Sequence, residues 1–191
     1  MTTIRTATLR HEDGNRFVTT TGTGRKLAFG DEAVAGELSP VETVAAALAA
    51  CSAMDVVAIA LKKRQSFSRY EVHVRAVQRD EYPQVLTRIE LTHEVEGPGV
   101  TVAAIRRCIE LSATKYCPVN AMLSAGATEV HHAYHVIGTG RQPFDESAEV
   151  VVTGPYRRPD ILPKTRPGRR GQGAGTRPKP RRATKAEATQ G

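Results

Sequence analysis

The hydrophobic and polar positions fall into two alternating regimes before the pattern fades. Residues 4–10 alternate loosely, and Asp13-Gly14-Asn15 is a turn signal. Residues 17–21 are β-branched and aromatic, Gly22-Thr23-Gly24 breaks the run, and residues 26–29 form a third short extended stretch. Three strands are therefore predicted, followed by a loop over residues 30–36. Ser39-Pro40-Val41-Glu42 then reads as a helix start. Ser39 can cap, Pro40 suits the first helical position, and Glu42 three residues on completes a capping box. The helix is predicted to run to about Lys63. It is rich in Ala, Leu and Val, and hydrophobic nearly all round, which assigns it to the middle of a fold.

Two strands are predicted next. In residues 70–78, Tyr70, Val72, Val74 and Ala76 share one face; in residues 85–95, Val85, Thr87, Ile89, Leu91, His93 and Val95 do. Asp80 to Gln84 joins them at hairpin length. A second helix is predicted over residues 102–115, with a stripe of Val102, Ile105, Cys108, Ile109 and Ser112. Cys117-Pro118 opens a short helix to Ser124, and residues 128–136 give a last strand. Strand runs separated by helices imply an α+β fold. Beyond Ile137 the periodicity fades, apart from a short candidate strand at 149–153.

Charge sharpens this division. The chain of 191 residues carries a net charge of +7. Residues 1–137 hold 15 basic and 15 acidic side chains, so the whole excess lies in residues 138–191, with 7 of the 11 prolines and 8 of the 16 glycines. The expected organisation is a neutral domain over 1–137 and a basic, disordered tail over 138–191. Arg157-Arg158, Arg169-Arg170 and Lys179-Pro-Arg181-Arg182 could hold polyanions weakly and non-specifically, although no aromatic residues are interleaved to stack bases. No apolar h-region marks a secretory signal. The longest apolar run, residues 44–54, stops at Asp55, so no membrane span is expected. Three cysteines are too few for a disulfide scaffold, and a reducing, cytoplasmic setting follows.

The candidate chemistry lies in those cysteines. Cys51 sits mid-helix, on one face with Val44, Leu48 and Asp55. Its bland reading is a packed thiol. Cys117 precedes Pro118 at a helix N-cap, where unpaired N–H groups and the helix dipole favour a thiolate. Its bland reading is a cap residue. Cys108 belongs to an apolar stripe and reads as core. Spacing alone does not say whether Cys51 and Cys117 meet. No cysteine pair has zinc-ligand spacing, and His131, His132 and His135 split between two strand faces without an intervening acid, so no metal site is expected. His93 reads as a hydrogen-bonded core histidine. There is no GxSxG, Walker loop or GxGxxG.

Two stretches carry a family resemblance: Ser-Pro-Val-Glu-Thr-Val-Ala-Ala-Ala-Leu-Ala-Ala-Cys-Ser-Ala-Met-Asp-Val-Val from Ser39, and Leu-Ser-Ala-Thr-Lys-Tyr-Cys-Pro-Val-Asn-Ala-Met-Leu from Leu111. Together they resemble the OsmC/Ohr family, most closely its YhfA-like branch, over about residues 5–137. The resemblance implies an α+β fold in which antiparallel sheets wrap long central helices in an intertwined homodimer. It implies that Cys51 is peroxidatic and Cys117 resolving, with a hydroperoxide substrate, a thiol or dithiol reductant, and no metal or organic cofactor. Val41 stands where the Ohr branch has its Glu. Glu42, one residue later, lies on the helix face opposite Cys51, where it caps the helix or acts across a dimer. Arg10, Arg16 and Arg25 are open candidates for the family's thiolate-supporting Arg.

The functional expectation is a cytoplasmic, dimeric, cysteine-based peroxidase acting on hydroperoxides, organic ones given the apolar surroundings. Its rivals are a non-catalytic dimer of the same fold that binds a small apolar ligand, and a tail that binds nucleic acid.

Overall fold

A computed structural model describes residues 2–30 and 37–154. Residues 31–36, within the expected loop, and 155–191, with the basic clusters of the expected disordered tail, lie outside the described residues. The first three strands, β1 (Ala7–Asp13), β2 (Arg16–Thr21) and β3 (Lys26–Phe29), form an antiparallel meander. Gly14 turns the first hairpin with φ +50°, a conformation that costs glycine little. Every residue of β1 is exposed.

Helix α1 (Pro40–Lys62) begins as the sequence predicts. The Ser39 hydroxyl accepts from the Glu42 N–H at 3.1 Å, and the Glu42 carboxylate accepts from the Ser39 N–H at 3.0 Å. Glu42 is thus occupied in the capping box of its own helix. By length and apolar composition α1 would meet the requirement for a membrane span. Its face of Ala45, Leu48, Ser52, Val56 and Ala60 is nevertheless buried in the fold. The opposite stripe, Ala47, Ala50, Met54, Ala58 and Leu61, is exposed. The expectation of a helix buried all round is therefore met on one side only within a single chain.

The second sheet has the order β4 (Arg69–Gln78), β5 (Leu86–Gly97), β6 (Glu129–Gly138), β7 (Phe144–Thr153). β5 and β6 are its central strands. Burial alternates along both, placing Ile89, Leu91, His93 and Val95 beside Val130, His132, Tyr134 and Val136 on one covered face. Gly97 sits where the chain passes closest to its neighbours: an added Cβ would lie 2.5 Å from the Phe67 Cα.

Two expectations need correction here. The sheet is not wholly antiparallel, because β5 and β6 run parallel. The connection between them, α2 (Val102–Leu111), a π-helical turn (Ser112–Tyr116) and α3 (Pro118–Ser124), returns the chain to its starting edge, as a parallel crossover must. The domain also does not stop at Ile137: β7 pairs with β6 to Thr153. As an edge strand with Asp145, Glu146, Ser147 and Glu149 exposed, β7 lacks the periodic signal of a buried strand.

The interior has two apolar clusters. One gathers Val56, Ala60, Val95, Ile105, Cys108, Ile109 and Val136; the other gathers Leu48, Leu86, Ile89, Leu91, Cys117 and Val130. Between them lies a layer of buried polar side chains, Ser52, His93, Ser112, Asn120 and His132.

Ser39→Ala, which removes half the capping box, is expected to lower unfolding stability by about 1 kcal/mol. Urea denaturation at fixed protein concentration reads this. An unchanged midpoint would show that the cap contributes nothing.

Candidate functional site

The local chain geometry explains how the two sulfurs meet. Cys51 and Asp55 are one turn apart on α1, so their side chains share a face. The helix expected to continue to Lys115 instead widens after Leu111. In the π-helical turn the Cys117 N–H bonds the Ser112 carbonyl at 2.9 Å, five residues back. This wide turn brings Ser112 and Cys117 to the same side, facing α1. The Ser112 hydroxyl donates to Asp55 Oδ2 at 3.0 Å, and the Cys117 thiol donates to Cys51 Sγ at 2.8 Å. Both thiols are free. Cys51 is half-buried, whereas Cys117 is 2% exposed.

Cys117 is the N-cap of α3, as expected, and its sulfur accepts from the Asn120 N–H at 3.3 Å. The expectation that this would favour a thiolate is not met. Burial, the bond to Cys51 and the nearby Asp55 carboxylate outweigh the Asn120 N–H, and Cys117 is pushed up to about 12. At neutral pH Cys117 is a thiol, able to donate a proton.

The polar layer holds this arrangement in register. Ser52 Oγ is 3.3 Å from Ser112 Oγ and 3.4 Å from His93 Nε2. His93 Nδ1 hydrogen-bonds the Tyr70 hydroxyl at 2.7 Å. On the other side, the Asn120 side chain donates to the Ala113 carbonyl at 2.7 Å and its Oδ1 meets His132 Nε2 at 3.1 Å. The two rings, His93 and His132, stack with centroids 6.0 Å apart. His93 is the core histidine the sequence predicts. Burial and then the neighbouring His132 lower its pKa to about 3.

Of the other candidates, Cys108 is fully buried in the first apolar cluster, as expected, and burial raises its pKa. His131 and His135 each have acidic partners of their own, and among the described residues no one acid meets both. His131 meets Glu129 of its own strand and Glu149 of β7, and His135 meets Asp145 of β7 and Glu94 of β5. Arg10 pairs with Glu12, and Arg16 with Glu12 and Glu37. Among the described residues, no Lys or Arg hydrogen-bonds either sulfur. Ser52, Asp55, Ser112 and Asn120 are site residues that sequence reasoning did not assign. Two signals existed: the one-turn spacing of Asp55 from Cys51, and a serine in the otherwise apolar stripe of the second helix.

An apolar hollow of about 350 Å³ lies at the N-terminal end of α1, and neither Cys51 nor Cys117 lines it. It is lined by Val41, Val44, Leu86 and Leu123, among others. Leu86 belongs to the apolar cluster that holds Cys117, and Val41 and Leu123 pack against that cluster.

Comparison with known proteins agrees with this architecture. Residues 30–132 match the family model described as OsmC-like protein. The chain is 34% identical over 131 residues to Protein YhfA of Escherichia coli (strain K12), covering 69% of this chain and 97% of that protein. A hypothetical protein from Aquifex aeolicus VF5 superposes with a TM-score of 0.64 at 24% identity, over 71% of this chain and 97% of its own. An organic hydroperoxide resistance protein from Elizabethkingia anophelis does so with a TM-score of 0.54 at 17% identity, over 73% and 99%.

The buried imidazole gives a pH prediction. Because the pKa of His93 is lower folded than unfolded, the unfolded chain binds more protons between pH 6.5 and about 3. Its contribution to stability is complete above pH 6.5 and is lost as the pH falls through that window. In an NMR titration the His93 ring should keep its neutral shifts from pH 8 to 5, and a midpoint near 6.5 would contradict this assignment.

Proposed function

The chain belongs to the OsmC-like family, and from that premise we propose that it is a thiol-dependent peroxidase acting through Cys51 and Cys117. One observation carries the reading: two free thiols 66 residues apart in sequence have their sulfurs 2.8 Å apart. The likeness in fold to an organic hydroperoxide resistance protein supports it.

The burial difference assigns the roles. The half-buried Cys51 is the sulfur a peroxide can reach. Its thiolate attacks the terminal oxygen of ROOH and the O–O bond breaks. Cys51 becomes a sulfenic acid, and the alkoxide leaves as ROH after taking a proton. Cys117, buried and protonated, then attacks the Cys51 sulfur. The S–S bond forms, the Cys117 proton joins the departing hydroxide, and water leaves. Two equivalents of an external thiol reduce the disulfide through a mixed disulfide and are themselves oxidised. The apolar side chains clustered around the two cysteines, Leu48, Val72 and Val119 among them, favour organic hydroperoxides. A reducing cytoplasm is the compartment that would supply the thiols.

The same proposal includes a homodimer. The exposed stripe on α1 is apolar throughout, with Met54 at 75% and Leu61 at 61% exposure, and its three alanines let a second helix approach closely. The first sheet, with Leu9 exposed, presents a further surface for a second copy to cover.

Two experiments test this. With a dithiol reductant, the wild type should consume an organic hydroperoxide catalytically. Cys51→Ser should fall to background, and Cys117→Ser should stall after one turnover. Full activity in Cys51→Ser would refute the mechanism. Inert thiols throughout would favour a non-catalytic binder of an apolar ligand in the hollow at the N-terminal end of α1. Separately, sedimentation should give a dimer that Met54→Glu converts to monomer. A wild-type monomer would refute the dimer.

A further inference from the structure

The two sulfurs have a third neighbour that the redox reading does not use. Cys51 Sγ, Cys117 Sγ and a carboxylate oxygen of Asp55 all lie within 4.8 Å of one another. Spacing between cysteines gave no reason to expect this, since one of the three ligands is an aspartate and the third comes from a different helix. Cys51 and Asp55 are a one-turn pair on a rigid helix, a spacing that points two donors at one point. Cys117 is fixed as the cap of α3. We propose that in the reduced protein Cys51, Asp55 and Cys117 form a binding site for Zn(II).

Zn(II) would displace the thiol protons to solvent on binding, and the resulting two thiolates and a carboxylate are a donor set suited to zinc, with one position left for water. Cys51 and Asp55 are both partly exposed, so an ion can enter and a water can complete its shell. Two of the three ligands have an outer partner: Ser112 Oγ donates to Asp55 Oδ2 at 3.0 Å, and the Asn120 N–H donates to Cys117 Sγ at 3.3 Å. Such partners orient carboxylates and stabilise thiolates at metal sites. Ligation requires adjustment: with Zn–S bonds of about 2.3 Å in tetrahedral geometry, the sulfurs stand about 3.8 Å apart. The pair must therefore open from 2.8 Å, which rotation of the half-buried Cys51 side chain can provide. Metal and disulfide exclude one another, because both use the same two sulfurs. The site rests on the reduced geometry and not on peroxidase activity.

The test uses the full-length, reduced, metal-free protein, titrated with Zn(II) against a chromophoric chelator at neutral pH. The expected result is one ion per chain. Binding should be lost in Cys51→Ser and Cys117→Ser, weakened by about tenfold or more in Asp55→Asn, and lost after oxidation of the wild type to the disulfide. A readout that needs no variant is Co(II) in place of zinc, which should give thiolate-to-metal charge-transfer absorption in the wild type. No stoichiometric uptake, no such absorption, or uptake unchanged in Asp55→Asn would each overturn the site. Zinc uptake without peroxide turnover would count against the proposed function alone; turnover without uptake would count against the zinc site alone.

Discussion

The hydrogen bonds of the buried polar layer are the constraint on which the site depends. Apolar packing would tolerate sliding of α1 against the α2–α3 segment, because one aliphatic contact is much like the next. The chain from Ser112 to both Asp55 and Ser52, and on to His93 and Tyr70, does not tolerate it. Each of these groups is cut off from most of the solvent and must find its partner inside the protein. The Asn120 bonds to the Ala113 carbonyl and to His132 fix α3 against the sheet in the same way. Together they hold the cap residue of one helix against the middle of another, where two sulfurs can meet.

That positioning explains why the thiols differ. Cys117 is buried on the core side of the pair and beside a carboxylate, so it keeps its proton despite the helix N-terminus. A cap contributes one N–H and a partial dipole, whereas desolvation and a neighbouring carboxylate act on the whole charge. Cys51 is half-buried on the open side. Cys117 is a buried member of the second apolar cluster and Cys51 packs against its edge, so position relative to one cluster protects one thiol and exposes the other.

Much of this was legible in the sequence where local physics decides. Ser39, Pro40 and Glu42 mark the start of α1 unambiguously, and the period-two burial of β5 is written in Ile89, Leu91, His93 and Val95. The core positions of His93 and Cys108 follow from the faces they share. Non-local geometry was not legible. The parallel pairing of β5 and β6 depends on the path of an intervening crossover. β7 is an edge strand whose exposed acids resemble a loop. The π-helical turn, one residue wider than an α-helical one, leaves no mark in the hydrophobic pattern, yet it aligns Ser112 with Cys117. Asp55 was on the right face throughout, but its importance depends on Cys117 arriving from 62 residues further along the chain.

The central claim is that Cys51 and Cys117 are a functional pair and Cys108 is not. Mass spectrometry of the reduced full-length protein after one equivalent of an organic hydroperoxide tests it most directly. The account predicts the loss of two hydrogens, a proteolytic fragment joining Cys51 to Cys117, and an unmodified Cys108. An unchanged mass, or a link or oxidation centred on Cys108, would contradict it.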